Sequence, residues 1–440
     1  MEKYIVQGGT KLSGTVSVSG AKNVALKALV AACLTDEEVV IKNAPLISDI
    51  SVMIDIIREL GGTVTISDHE LKVQVKQFAH STISLDQASH IRTSSMFLAP
   101  LLIRTQQAVI PNPGGCRIGA RPIDRTVEGL IQMGADIDYM SEDGYFHATA
   151  HGLHGVTYRF EKNTHTGTET LIIAAVLATG KTILENAAEE PEIDELIELL
   201  NAMGAKIKRT DKRTIEIEGV TKLHAATCTI RPDRNEIVTF AIAAFITKGD
   251  VLVQGAKEDV LQAFLMKLDE IGAGYEVKND GIRFFYQKPL QAASVTTAIY
   301  PGFMTDWQAP WAVLMTQAEG ESTVHETVFS NRFGYVSELR KMGAKITFIH
   351  PEVANPQEVY NFDPKENEGM PHAIAITGPS PLHDAVVQIS DLRAGASLVL
   401  AALAAKGATV IHGVSLIDRG YESFEERLHL LGANIKRVNE

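Results

Sequence analysis

The sequence predicts an α/β protein built from six copies of one unit, packed as two globular halves of three units each. Three observations carry that expectation. A phrase of hydrophobic residue, glycine and small residue recurs as Leu60-Gly61-Gly62, Met133-Gly134-Ala135, Met203-Gly204-Ala205, Ile271-Gly272-Ala273, Met342-Gly343-Ala344 and Leu431-Gly432-Ala433. An Ala/Leu-rich helix followed by a strand also recurs six times, as in Ile173-Ala174-Ala175-Val176-Leu177 and Leu400-Ala401-Ala402-Leu403-Ala404. The glycines stand 73, 70, 68, 71 and 89 residues apart. That spacing is too long for solenoid repeats of about 20–50 residues and suits α/β units that share a core.

Each element follows from local chemistry. Residues ahead of the glycines keep a helical period, as in Val52, Ile56 and Leu60, or Leu196, Leu199, Leu200 and Met203, or Phe424, Leu428 and Leu431. Each glycine then falls just past a helix end, where a positive φ is wanted. The long last spacing localises an insertion. Residues 350–384 are polar, Pro-rich and unpatterned, which predicts a surface loop.

The starts of the Ala-rich helices carry cations. Val16-Ser17-Val18 runs through Ser19-Gly20-Ala21 to Lys22-Asn23, and the later starts hold Arg92, Arg234 and Arg393. A cation at a helix N-terminus opposes the macrodipole. A bound anion would satisfy both the cation and the free N–H groups. For Arg234 and Arg393 two readings stay open, an anion or pairing with Asp233, Asp391 or neighbouring acids. Lys22 and Arg92 have no adjacent acid and point to an anion.

The run from Pro111 to Asp124 has too many glycines and prolines for a regular element and reads as an exposed loop. It places Cys116 one residue before Arg117 and five before Arg121. Cations beside a thiol favour the reactive thiolate; an ordinary loop cysteine is the other reading. Cys33 and Cys228 lie in apolar or strand-like runs and read as buried small hydrophobes. Three cysteines are too few and scattered for a disulfide framework or a zinc site.

Among 440 residues, 45% are hydrophobic and the formal net charge is −13. That balance argues against broad binding to nucleic acid or to an anionic membrane. The N-terminus lacks a basic region followed by an apolar stretch, and no apolar run is long enough to span a bilayer. A cytoplasmic protein is expected.

Several motifs in one order resemble the enolpyruvyl transferase family from end to end. They are Gly20-Ala21-Lys22-Asn23, Pro113-Gly114-Gly115-Cys116, Ile118-Gly119-Ala120-Arg121-Pro122, Glu185-Asn186-Ala187-Ala188 and Glu190-Pro191-Glu192. They continue as Thr305-Asp306 with Gln308, Glu326-Thr327-Val328-Phe329, Asn331-Arg332-Phe333, Asp391-Leu392-Arg393-Ala394 and Ile417-Asp418-Arg419-Gly420-Tyr421-Glu422. The resemblance implies a two-domain inside-out α/β barrel. One domain, 22–232, would carry the cysteine loop; the other would be 1–21 plus 233–440, with the insertion near 350–384. The chain would cross near Ala21 and near Arg231-Pro232, with the active site in the cleft.

The implied reaction moves the enolpyruvyl group of phosphoenolpyruvate to the 3′-hydroxyl of UDP-N-acetylglucosamine and releases phosphate, the first committed step of peptidoglycan synthesis. No metal or organic cofactor is implied, and no partner beyond these two small molecules; the chain is expected as a monomer or weak oligomer. Lys22, Asn23, Arg121, Arg332, Arg393 and Arg419 would hold phosphoenolpyruvate, a role suited to cations and bidentate guanidinium groups. Cys116 would be the acid and the point of covalent attachment. Asp306 would be the base or would orient the hydroxyl, with helix capping as its other reading. Arg92, Arg121, Pro122, Ile123, Asp124, Arg125, Lys162, Thr166, Gly167, Asp306 and Val328 would bind the sugar nucleotide. Glu190, Asp391 and Arg234 would support the site, with helix capping again the other reading of Glu190.

The chain departs from the family pattern at three places. Thr126 replaces a histidine, His165-Thr166-Gly167-Thr168-Glu169 replaces Ser-Val-Gly-Ala-Thr at the diphosphate-contacting segment, and Asn235-Glu236-Ile237-Val238 replaces Ile-Glu, a small residue and Gly. These leave open a paralogue acting on another nucleotide or nucleotide sugar, and a catalytically silent sensor.

Overall fold

The computed structural model describes residues 2–114, 123–367 and 369–439. The chain divides into two compact units, residues 2–19 with 232–439 and residues 20–114 with 123–231. Each unit is built around three inner helices. The second unit holds α1 (Lys22–Ala32), α2 (Leu98–Thr105, entered through the 3-10 turn Arg92–Phe97) and α3 (His165–Ala175). The first holds α4 (Arg234–Ile246), α5 (Gln308–Met315, entered through Thr305–Trp307) and α6 (Leu392–Ala404). These are the Ala-rich segments of the sequence. A helix apolar on all sides is stable only when buried on all sides. Every residue of α4 and of α5 is buried, and α4, α5 and α6 pack against one another.

Among the described residues six sheets surround these helices; five follow one four-stranded plan, and the sheet of Gln107–Pro111, Tyr145–Thr149 and Asp136–Met140 has three strands and lacks the first. In the sheet beside α4, Ser13–Ser17 runs parallel to Asp250–Gln254, which pairs antiparallel with Gly281–Phe285, which pairs with the edge strand Gly274–Lys278. In the sheet beside α1, Thr227–Thr229 plays the first part against Val39–Lys42, followed by Glu70–Gln74 and Thr63–Ser67. The first strands of these two sheets are exchanged. Ser13–Ser17 leads along the chain into α1 yet pairs beside α4; Thr227–Thr229 leads into α4 yet pairs beside α1. The exchange is why the chain passes twice between units. Strands alternate buried and half-buried residues, as in Asp250–Gln254, so one face of the sheet covers the helices and the other turns toward solvent. The last sheet is completed by the N-terminal strand Glu2–Gln7, which pairs with both Ala408–His412 and Asn434–Asn439. Helices inside and sheets outside is the inside-out α/β arrangement.

The expected loop over 350–384 is shorter than predicted. Ala373–Gly378 is a strand, paired with Gly320–His325 on one side and Lys345–Ile349 on the other. The insertion is therefore a hairpin connection over 350–372. It is pinned by Tyr360, which is buried, accepts or donates at 3.1 Å to His325 Nε2, and stacks against Phe362 and His372.

All six repeat glycines have positive φ, from 73° at Gly272 to 103° at Gly204. At Gly432 (φ 97°) the space around an added Cβ is open, with the nearest atom 4.0 Å away. Gly432→Ala therefore isolates the backbone term. It is expected to destabilise the protein by about 1–2 kcal/mol. Urea unfolding should show a lower midpoint at unchanged slope; an unchanged midpoint would refute the helix-end argument.

Candidate functional site

In the unit of α4–α6, the entry turn of α5 presents Asp306 to two buried arginines. Arg332 Nη2 donates to Asp306 Oδ1 at 3.0 Å and to the Thr305 carbonyl at 3.2 Å. Arg393 Nε donates to Asp306 Oδ2 at 3.2 Å. Both arginine side chains are about 5% exposed, and Asp306 is 22% exposed. Burial opposes ionisation of Asp306, but Arg393 and Arg332 outweigh it and hold the carboxyl down at about 2. Asp306 makes no helix-capping bond, so its capping reading is corrected to a two-arginine ion pair.

The acids beside the helix-start arginines have another task. The Asp391 side chain accepts from the Arg393 and Ala394 N–H groups at 3.0 and 3.1 Å, and Asp233 accepts from the Asn235 N–H at 2.7 Å. They cap α6 and α4. Arg393 reaches across to Asp306 instead and also lies 5.2 Å from the Tyr421 ring centre. Arg234 is buried, with its guanidinium 5.1 Å from the Tyr300 ring centre.

Neighbours that sequence reasoning gave no role shape this cluster. Glu326 is buried; its Oε1 accepts from the Val328 and Phe329 N–H groups at 2.7 and 3.1 Å, and Oε2 accepts from the Thr305 hydroxyl at 2.8 Å. It thereby fixes the loop carrying Val328 to the turn carrying Asp306. Gln308 donates to the Arg332 carbonyl at 3.1 Å and is held by the Tyr335 hydroxyl at 2.7 Å. Gln308 and Glu326 lie inside the quoted motifs, and that was the available signal. Arg419 lies, half-buried, in the turn after Val414–Leu416.

In the unit of α1–α3, Lys22 is the first residue of α1 and is 8% exposed. Its Nζ is 2.6 Å from Asp49 Oδ2, on the helix Ser48–Glu59. Lys22 has no acid adjacent in sequence, but Asp49, distant in sequence, is near in space and pairs with it. Asn23 follows it, half-buried. Arg92, half-buried, opens the turn into α2. Ile123 precedes the helix Asp124–Gln132, and the Arg125 carbonyl accepts from the Tyr158 hydroxyl at 3.0 Å. Lys162 lies just ahead of α3, and Thr166 and Gly167 are in its first turn. The Thr164 hydroxyl caps α3 by accepting from Gly167 N–H at 3.2 Å. A Cβ at Gly167 would stand 2.5 Å from Thr164 Cγ2 and 3.4 Å from Thr126 Oγ1; only glycine allows that approach. Glu190 occupies the N-cap position of Pro191–Ala202, but its side chain makes no capping bond, which corrects its capping reading. Cys116, Arg117, Arg121 and Pro122 lie outside the described residues.

The other two cysteines are poor nucleophiles. Cys33 is buried, and burial pushes its thiol up to about 12. Cys228 is half-buried rather than buried as expected, and lines a cavity of about 170 Å³ with Glu195 and Leu199. Burial still pushes its thiol up to about 12. Among the described residues, no helix is long and apolar enough to cross a membrane, and no cluster of three or more His, Cys, Asp or Glu could hold a metal ion.

The profile of the EPSP synthase (3-phosphoshikimate 1-carboxyvinyltransferase) family matches residues 6–428. The chain is 43% identical over 444 aligned residues to a UDP-N-acetylglucosamine 1-carboxyvinyltransferase of Koribacter versatilis, covering 100% of this chain and 97% of that one. It is 42% identical to the protein of the same name from Magnetococcus marinus, covering 100% of both. Among solved structures it is similar to the enolpyruvyl transferase NikO of Streptomyces tendae, with a TM-score of 0.86 at 24% identity over 100% of this chain and 99% of that one. It also resembles the EPSP synthase of Acinetobacter baumannii, with a TM-score of 0.75 at 18% identity over the whole of both chains. These structures share the fold of six helix-centred units, and the sequence matches run the length of the chain, so this protein belongs to the EPSP synthase family.

Proposed function

We propose that this chain transfers the enolpyruvyl group of phosphoenolpyruvate to the 3′-hydroxyl of UDP-N-acetylglucosamine with release of phosphate, the first committed step of peptidoglycan synthesis. The observation that carries the reading is identity above 40% over full length to relatives named for that transfer. The ion-pair geometry supports it. Phosphoenolpyruvate bears a carboxylate and a phosphate, and buried arginine forks suit both. Arg332 and Arg393, with Lys22, Asn23, Arg121 and Arg419, are its proposed ligands. Arg92, Arg121, Pro122, Ile123, Asp124, Arg125, Lys162, Thr166, Gly167 and Val328 are proposed for the sugar nucleotide. Glu190, Asp391 and Arg234 support them, Asp391 by capping the helix that carries Arg393. A cytoplasmic location and a monomeric or weakly oligomeric state belong to the same reading.

Addition across the enol bond needs a proton delivered to the methylene carbon and one removed from the sugar hydroxyl. Cys116 gives the first; Asp306 takes the second as the 3′-oxygen bonds to the central carbon. Loss of a proton from the resulting methyl group and departure of phosphate with its bonding electrons then restore the double bond. A carboxyl held at about 2 is a weak base. A substrate anion that shares Arg332 and Arg393 loosens their hold on Asp306 and raises its pKa. Binding of one substrate thus prepares the base for the other.

Purified protein given both substrates is expected to release phosphate; no release above background would refute the activity. Asp306→Asn keeps the shape but cannot accept a proton, and kcat should fall by about 10²–10⁴-fold. A variant within threefold of the parent would remove Asp306 from the chemistry. Exposure to fosfomycin, an anionic epoxide that a thiolate opens, should add one adduct, at Cys116. With thiols near 12, Cys33 and Cys228 are ionised to only about one part in 10⁵ at neutral pH. Cys116→Asp should stay active and escape the epoxide, and Cys116→Ala should lose both. Peptide mass spectrometry showing adducts spread over all three cysteines, or an active Cys116→Ala protein, would displace this loop from the chemistry.

A further inference from the structure

The connection over 350–372 has no part in the steps above, yet it is fastened beside residues that do. The last repeat glycine stands 89 residues after its predecessor, against 68–73 for the others, and this connection holds the excess. Polar, Pro-rich connections ordinarily run over the surface with few ties. This one is tied to three consecutive residues. The Tyr360 hydroxyl is 3.1 Å from Nε2 of His325, the last residue of the strand Gly320–His325. The Glu326 N–H donates to the His372 carbonyl at 2.8 Å, and the Asn361 N–H donates to the Thr327 carbonyl at 2.8 Å.

The anchor is aromatic. Tyr360 is 5% exposed. Its ring centre lies 5.6 Å from that of His325, 5.2 Å from His372 and 4.9 Å from Phe362, and Phe362 and His372 are 4.8 Å apart. Rings at such separations attract beyond the area they bury. Burial lowers the pKa of His325 and of His372, so at neutral pH both imidazoles pack uncharged. Asn361 stands between Tyr360 and Phe362 in the chain, so the two flanking rings fix the direction of its backbone N–H.

That N–H reaches one end of a peptide unit whose other end is held by a buried carboxylate. The Thr327–Val328 unit is planar. Its carbonyl accepts from Asn361, and its N–H donates to Glu326 Oε1 at 2.7 Å. Thr327 is tied to Thr297 as well, through its own N–H at 2.9 Å and its hydroxyl at 2.6 Å. With both ends bonded the plane cannot turn, and the backbone direction into Val328 is set.

We propose that Tyr360 is a positioning residue for the sugar nucleotide: the ring cluster holds Asn361, Asn361 holds the Thr327–Val328 peptide, and that peptide presents Val328 to the acceptor substrate. The proposal rests on the transfer, and on the role of Val328, proposed above. It gives the extra length of the last repeat a task in acceptor binding and none in phosphoenolpyruvate binding.

The test compares the full-length parent with Tyr360→Ala, Tyr360→Phe, Asn361→Pro and Asn361→Ala, each beside a thermal unfolding curve. Phosphate release gives kcat and KM for each substrate. Calorimetric titration with UDP-N-acetylglucosamine alone reports binding even if no phosphate is released. Tyr360→Ala should raise KM and the dissociation constant for UDP-N-acetylglucosamine about 10-fold, with kcat and KM for phosphoenolpyruvate within about threefold of the parent. Tyr360→Phe keeps the ring and should fall between the two. Asn361→Pro removes the N–H that reaches Thr327 and should match Tyr360→Ala; Tyr360, at φ −87° and ψ 131°, has a backbone that accepts a following proline. Asn361→Ala keeps the N–H and should match the parent. Because Tyr360 is buried, Tyr360→Phe and the Asn361 pair decide the matter if Tyr360→Ala does not fold. A clasp that only stabilises the hairpin would lower the unfolding temperature and leave the ratio of the two KM values unchanged, which overturns the proposal. If UDP-N-acetylglucosamine binding weakens in this pattern without phosphate release in the parent, the positioning stands and the transfer fails. If release occurs but Asn361→Pro and the Tyr360 variants leave acceptor KM unchanged, the transfer stands and the positioning is overturned. Failure of the parent to bind UDP-N-acetylglucosamine overturns the positioning as well.

Discussion

A helix buried on every side leaves polar chemistry one place to go, its ends. That constraint organises both units. The inner helices are so apolar that α4 and α5 expose no residue, and most ionisable groups gather at their starts: Lys22, Arg92, His165, Arg234, the Asp306 turn and Arg393; Lys27 and Glu169, farther along α1 and α3, face each other at 3.3 Å. The first amides of a helix need acceptors in any case. Three starts are capped from within, by Thr164, Asp233 and Asp391. The starts of α1 and the entry turns of α2 and α5 have no side-chain cap. Repetition of the unit therefore multiplies helix starts suited to anions without any one of them needing a special motif.

The repeat and its helix ends were legible because they are local. A glycine after a periodic run states its own φ, and an all-apolar run states its own burial. Cations at the helix starts were legible for the same reason. Their partners were not. Asp49 lies on a different helix from Lys22, and Asp306 is far along the chain from Arg393, so only packing brings them together. The acids that sequence proximity suggested, Asp233 and Asp391, turned out to bond backbone. The strand Ala373–Gly378 was hidden in a polar, Pro-rich stretch, although Ile374 and Ile376 are buried and mark its inner face. Glu169 was passed over because a carboxylate inside an apolar helix has no local explanation; its partners are Lys27 on α1 and His165 one turn back.

The exchanged strands make the fold non-local. The sheet beside α4 needs Ser13–Ser17 and Asp250–Gln254, and the last sheet needs Glu2–Gln7 and Asn434–Asn439. Pairings of such separation pay loop-closure entropy before contacts compensate it, so folding is expected to be slow for the size. Native contacts then fasten the crossings. Ala21 N–H donates to the Arg231 carbonyl at 2.8 Å, and Asp233 N–H to the Ser19 carbonyl at 2.9 Å. Glu236 accepts from Ser19 N–H at 2.9 Å and from both Arg427 terminal nitrogens at 2.6 and 2.7 Å. Helix-start residues thus serve the topology as well as the site.

The charge distribution explains how an acidic protein can favour anionic substrates. The net charge of −13 repels polyanions at long range, over roughly a Debye length of 8–10 Å. Among the cations proposed for substrate, Lys22, Arg332 and Arg393 are buried, where screening is weak, and each already has a carboxylate: Lys22 with Asp49, Arg332 and Arg393 with Asp306. An incoming anion must therefore compete with an internal one. A single carboxylate ligand only replaces what is there and gains little. A ligand carrying two or more negative charges, with oxygens that reach several cations at once, gains more than it displaces. Internal carboxylates thus lower affinity for every anion, but least for the most highly charged, and that difference is specificity. In the proposed mechanism the same competition would loosen Asp306 only when such an anion is bound, which would confine the base to the moment at which its proton acceptance is useful.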